Sequence, residues 1–122
     1  NRAHVQSFVE TVLVGGQLDR LAEFIDARAF AEHNPRLADG VSALRTALEG
    51  PHAGGRQIDY QRVHRVLAEG NFVLSVSEGA LGGVHSAFYD LFRVADGKLV
   101  EHWDTTEKIA PRNEWKNDNG KF

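Results

Sequence analysis

The feature that most limits how this chain can fold is a change of hydrophobic period at Gln57. Before it, apolar residues recur about every 3.6 positions, and after it they alternate every second position to the end of the compact region. The first pattern is one face of a helix and the second is one face of a strand. Turn signals at Glu69-Gly70-Asn71, Leu81-Gly82-Gly83 and Asp96-Gly97 divide the alternating half into runs at 58–68, 72–79, 84–94 and 99–106. Asp-Gly tolerates the positive φ angles that a tight hairpin needs. Four long antiparallel strands in meander order are therefore expected.

In the first half, Val5, Phe8, Val9, Val12 and Leu13 form one face of a helix over 2–14, which Gly15-Gly16 ends. A second short helix is expected over 17–25 through Leu18, Leu21, Ala22 and Ile25. Phe30 to Pro35 is too short and mixed for a helix, and Asn34-Pro35 disfavours helical geometry, so a short extended piece leading into a loop is expected. A third helix over 41–49 presents Val41, Leu44, Ala47 and Leu48, with Asp39 or Ser42 as its cap and Gly50-Pro51 as its stop. Residues 52–56 read as a glycine-rich loop. Helices followed by one curved sheet make an α+β plan, in which three N-terminal helices close a cone over the concave face and enclose a pocket. The polar tail over 109–122, with Trp115 and Phe122, either docks as an arm or frays.

At 122 residues the chain is the size of one domain, so 1–122 is treated as a single unit. Its net charge of −3, with fourteen scattered Lys and Arg, gives no footprint for nucleic acid or an anionic membrane. There is no cysteine, hence no thiol nucleophile or thiolate metal site. No apolar run approaches the roughly 20 residues that span a bilayer, and a cytoplasmic location is the default expectation.

The ionisable residues concentrate on the last hairpin, where Asp90, Glu101, His102 and Asp104 share strands with Phe88, Phe92, Val94, Leu99 and Trp103. Any of these charges that points with the apolar set lies in a place of low dielectric, where perturbed groups favour chemistry. Regular pairing about a two-residue Asp96-Gly97 turn sets Asp90 opposite Trp103, facing away from His102 and Asp104. A one-residue bulge near Val100 or Glu101 would turn all three to one side. With that bulge, Asp104 could take a proton α to a carbonyl while Asp90 or a protonated His102 binds the enolate oxygen. The plainer alternative is a buried polar network that braces the strands. Trp103 and Tyr89 then fall on the opposite face as packing or interface aromatics, and Glu78 at the rim. His4, His52 and His85 are expected in solvent.

Taken together, helix, helix, His33-Asn34-Pro35, helix and four strands ending in Tyr89-Asp90-Leu91-Phe92-Arg93-Val94, Asp96-Gly97-Lys98 and Glu101-His102-Trp103-Asp104 resemble the SnoaL-like (polyketide cyclase-like) branch of the NTF2-like superfamily. The resemblance covers nearly the whole chain. It implies a cone-shaped α+β barrel, a homodimer through the sheet and no cofactor. It also implies chemistry of the aldol, cyclase or isomerase type on a small hydrophobic carbonyl compound. Asp104 resembles the general acid or base of the cyclases, and Asp90 resembles the protonated aspartate of ketosteroid isomerases, an established example of a neutral buried carboxylic acid. Two departures count against steroid isomerisation: Phe8 lies where those isomerases carry a tyrosine, and the Asn34 region replaces their catalytic aspartate. The expected catalytic set is Asp104, His102 and Asp90, with His33 at the mouth. The expected pocket set is His64, Asn34, Phe8 and Phe92.

A metal site would need His33, His64 and His102 to converge, and no local zinc spacing supports one. Ser75, Ser77 and Ser86 lack a nucleophile-elbow context, and the glycine pairs match no phosphate loop. The rival functions are a non-catalytic binding domain for a hydrophobic small molecule and an interaction module that uses the sheet face alone.

Overall fold

The computed structural model describes residues 1–26, 28, 30–33, 41–49 and 58–122, apart from the side chains of residues 41–43 and 47. Asn34, the Asn-Pro turn, the expected cap at Asp39, the stop at Gly50-Pro51 and the loop containing His52 lie outside the described residues.

The helical half is less regular than its periodicity predicts. Helix α1 covers Arg2–Phe8, and Val9–Val14 continues it as a wider π-helix in which the Gly15 N–H reaches the Glu10 carbonyl at 2.9 Å. The apolar face survives this widening, because Val5, Phe8, Val9, Val12 and Leu13 are all buried. Gly16, at φ 72°, turns the chain out of the helix. The second expected helix is a 3-10 turn, Leu18–Arg20, followed by one α-turn, α2, Leu21–Phe24. Its last expected residue, Ile25, is already extended and bridges to Leu99. Strand β1 is Ala31–Glu32 and helix α3 is Val41–Glu49.

The four expected strands are present as β2, Ile58–Glu69; β3, Phe72–Leu81; β4, Val84–Ala95; and β5, Lys98–Lys108. They form one sheet in the order β1-β5-β4-β3-β2, antiparallel except for β1, which runs parallel to β5. Alternation sends Val73, Phe88, Phe92 and Val94 to the helix-covered face, where they form one core with Val5, Phe8, Val9, Val12, Leu21 and Phe24. Each such side chain contributes roughly 1.5–3 kcal/mol by leaving water.

Two irregularities in the sheet decide what faces inward. At the β4–β5 hairpin, Asp96 and Gly97 both have positive φ, 51° and 71°, as a two-residue hairpin turn of this kind requires. The register then runs Ala95↔Lys98 and Val94↔Leu99 but continues Arg93↔Glu101, leaving Val100 as an inserted residue. This is the anticipated bulge. It places His102 opposite Phe92 and Asp104 opposite Asp90. In β2, the register shifts twice, inserting Gln61 after Tyr60 and His64 after Val63.

The tail docks rather than frays. The Ile109 N–H bonds the His85 carbonyl at 2.9 Å, Lys121 pairs with Glu107 at 2.6 Å, and the Phe122 ring stacks on His64 at 4.1 Å. Among the described residues no helix is long and apolar enough to cross a membrane.

Candidate active site

The concave face of the sheet and the helices that cover it enclose a cavity of about 690 Å³. Its wall is mostly apolar, with Phe8, Leu44, Leu48, Phe88 and Phe92 among the lining residues, and it also includes Tyr60, Asp90, His102 and Asp104. The Val100 bulge is what makes this possible. Without the inserted residue, His102 and Asp104 would face the outer side of the sheet.

His102 is held from both sides. Its Nε2–H donates to Asp90 Oδ1 at 2.8 Å, and its Nδ1–H donates to both oxygens of Glu32, each at 2.8 Å. The imidazole is 7% exposed and both carboxylates 1%. Burial by itself would expel the positive charge from His102, but the two carboxylates outweigh it and push the imidazole up to about 10. At neutral pH His102 is therefore an imidazolium, an acid and a source of positive potential rather than a base. Tyr60 Oη–H donates to the other Asp90 oxygen at 2.8 Å, and burial, with Asp90 beside it, pushes that hydroxyl well above the usual phenol range. Phe92 stacks on the imidazole at 4.8 Å and Phe8 packs edge-on against Phe92 at 5.6 Å, so the pair of rings seals one side.

One donor atom each from Asp90, His102 and Asp104 lies within 4.8 Å of the others, and among the described residues this is the group that could hold a metal ion. The proton on Nε2 occupies the position a metal would take, so a cation would bind only by displacing it. The convergence of His33, His64 and His102 that a histidine site would need does not occur.

Of the expected site residues, Asp90, His102, Asp104, Phe8 and Phe92 all line the cavity. His33 does not. Because β1 pairs Glu32 with His102, the next side chain along points to the other face, where His33 stacks on Trp103 at 4.5 Å and bonds Glu101 at 2.6 Å. Glu101 is held below the usual carboxylate range first by Arg93, then by His33. The expected role of His33 at the cavity mouth is corrected accordingly. His64 is also outside the cavity: the bulge that inserts it turns its ring to Glu78, at 2.8 Å, and Glu78 bonds His85 at 2.6 Å as well. Glu78 follows the buried Ser77 on β3 and so faces away from the core. His85 is thus paired, and His4 is half-buried against the Phe24 carbonyl at 3.1 Å.

Sequence reasoning missed Glu32 and passed over Tyr60 as a site residue. The only available signal for Glu32 was alternation within the extended piece, which allows just one of Glu32 and His33 to face inward. Ser75 and Ser77 are buried, and their hydroxyls have no hydrogen-bond partner among the described residues.

A curved, mainly antiparallel sheet covered by N-terminal helices is the NTF2-like class of α+β fold. Within it, the sequence matches the SnoaL-like domain over residues 5–102, and the chain belongs to that family. Three solved structures illustrate the likeness. A proposed ketosteroid isomerase from Kribbella flavida DSM 17836 superposes with a TM-score of 0.74 at 18% identity, over 98% of this chain and 90% of that one. An NTF-2 like protein of unknown function from Burkholderia xenovorans LB400 gives 0.69 at 20% identity, over 98% and 94%. A proposed polyketide cyclase from Acidithiobacillus ferrooxidans gives 0.59 at 13% identity, over 86% of each chain. At these identities the likeness is one of fold. A search of curated protein sequences finds no significant match.

Proposed function

We propose that the protein catalyses acid/base chemistry with its own side chains on a small carbonyl compound held in the apolar cavity, of the aldol, cyclase or isomerase type. The observation that carries this reading is the convergence of Asp90, His102 and Asp104 at one wall of that cavity, with the imidazole doubly clamped as a cation. Asp104 is the base that removes a proton α to the carbonyl. His102 supplies the compensating positive charge, and the enolate oxygen competes with Asp90 for the Nε2–H. Glu32 and Tyr60 are positioning residues, since each acts through His102 or Asp90.

The assay is proton–deuterium exchange at the α-carbons of a panel of ketones. Asp104→Asn should lower exchange by roughly 10²–10⁴-fold while leaving ligand affinity intact. Absence of exchange by the wild-type protein across the panel would sink the catalytic reading. It would favour a binding domain for a hydrophobic small molecule, a reading supported by the fact that both ring N–H groups of His102 already have carboxylate acceptors.

We further propose that the outer face of the sheet forms a homodimer. Leu74, Val76, Tyr89, Leu91 and Trp103 are only half-buried there, and Phe72 is 40% exposed.

A further inference from the structure

The mostly apolar cavity carries ionisable groups at two well-separated places along β5. Asp104, Thr106 and Lys108 follow one another at intervals of two along β5, and all three line the cavity. At about 3.3 Å per residue, Lys108 stands roughly 13 Å along the strand from Asp104. Phe88 pairs with Thr106 between them, and Leu44, Leu48 and Ile58 also line the cavity. At the outer end, Lys108 pairs in register with Ser86, near the start of β4.

Lys108 is the only Lys or Arg among the described residues that line this cavity. The neighbouring cation Lys121 is engaged, pairing with Glu107 at 2.6 Å. The Lys108 side chain is exposed and, among the described residues, has no ion-pair partner. The inner end has the opposite character. Asp90 and Glu32 both accept from the one imidazole there, and Asp104 lies beside it. An anionic ligand group is attracted to the ammonium of Lys108 at the other end.

We propose that the ligand of this cavity is a bipolar, mainly apolar molecule that carries a carboxylate at the end opposite its carbonyl, and that Lys108 binds the carboxylate. The proposal rests on the reading of the inner end as the place where a carbonyl reacts. Lys108 is then a specificity residue: it fixes the direction of entry, carbonyl first, and rejects neutral analogues of the same length. Because the ammonium stays in contact with water, the preference is modest and sensitive to salt.

The test compares two probes of equal length, 10-oxoundecanoate and 10-oxoundecanamide, by calorimetric titration of the wild-type protein, Lys108→Met and Lys108→Glu. The wild type should bind the acid about fivefold more tightly than the amide, which is about 1 kcal/mol for a half-solvated pair where 1.4 kcal/mol is tenfold. The preference should fade with added salt, vanish in Lys108→Met and reverse in Lys108→Glu, with amide affinity unchanged in Lys108→Met. Equal binding of acid and amide by the wild type, a preference that survives in Lys108→Met, or binding of neither probe overturns the proposal. Deuterium exchange at the ketone α-carbons, read on the same samples, separates the two claims. Acid preference without exchange removes the catalytic reading and leaves the anion subsite, whereas exchange without acid preference does the reverse.

Discussion

His102 should make the stability of this protein fall steeply with rising pH over a range where most proteins change little. Its imidazole is raised from 6.5 to about 10 in the folded state by two carboxylates that overcome its burial. At 1.36 kcal/mol per pH unit, that preference for the charged form is worth about 5 kcal/mol. Because the folded value is the higher one, the contribution is complete below about pH 6.5, where both states bind the proton. Between about 6.5 and 10 only the folded state binds it, so stability declines by about 1.4 kcal/mol per pH unit, and above about 10 the contribution is gone. Urea unfolding of the wild type and of His102→Gln at several values between pH 6.5 and 9.5 isolates the effect, since the glutamine does not titrate. The stability difference should narrow by about 4 kcal/mol across that range. Removing the cation takes away the charge that Asp90 and Glu32 share, which costs about 3–5 kcal/mol and is a large share of the stability of a domain this size. A direct readout therefore accompanies the unfolding series: nitrogen-15 spectra of the wild-type imidazole at pH 8 should show both ring nitrogens protonated. Parallel stability profiles, or one unprotonated ring nitrogen at pH 8, would refute the reasoning.

Gly79→Ala should destabilise the protein by about 1–3 kcal/mol in thermal unfolding, because a Cβ there would lie 1.9 Å from the Asp59 carbonyl oxygen and 3.0 Å from the Phe88 ring; an unchanged Tm would mean that β2 does not approach β3 this closely beside Tyr60. On the outer face, light scattering should find a dimer, and Leu91→Arg should convert it to a monomer that still binds ligand in the cavity; a monomeric wild type would remove the proposed interface.

Much of the architecture was legible from local pattern. Period-2 alternation and turn chemistry located β2 to β5 and their meander order, since a strand with one buried face writes that face into every second residue. The helical stretches were found by their apolar faces, but the widening at Val9–Val14 was not, because the same valines and leucines bury in either helix. The inward turn of His102 and Asp104 was legible only conditionally: alternation showed that a bulge was needed, and nothing local stated that Val100 would be it. His33 and His64 were misplaced for one reason. Each sits where a single-residue alternation or insertion decides its face, and a residue type that suits a site carries no information about that parity.

The sequence by itself determined the fold class, the family likeness, the Asp96-Gly97 turn and the concentration of charge on the last hairpin, because these depend on neighbours a few residues apart. The tertiary structure alone decided what the charges do. Glu32 reaches His102 across a separation of 70 positions, through a parallel pairing of two residues that no periodicity announces. Tyr60 reaches Asp90 across the same face from β2, two strands over and 30 positions away. Whether a histidine is an exposed base or a buried cation depends on such partners, and the chain brings them together only when it closes the cone.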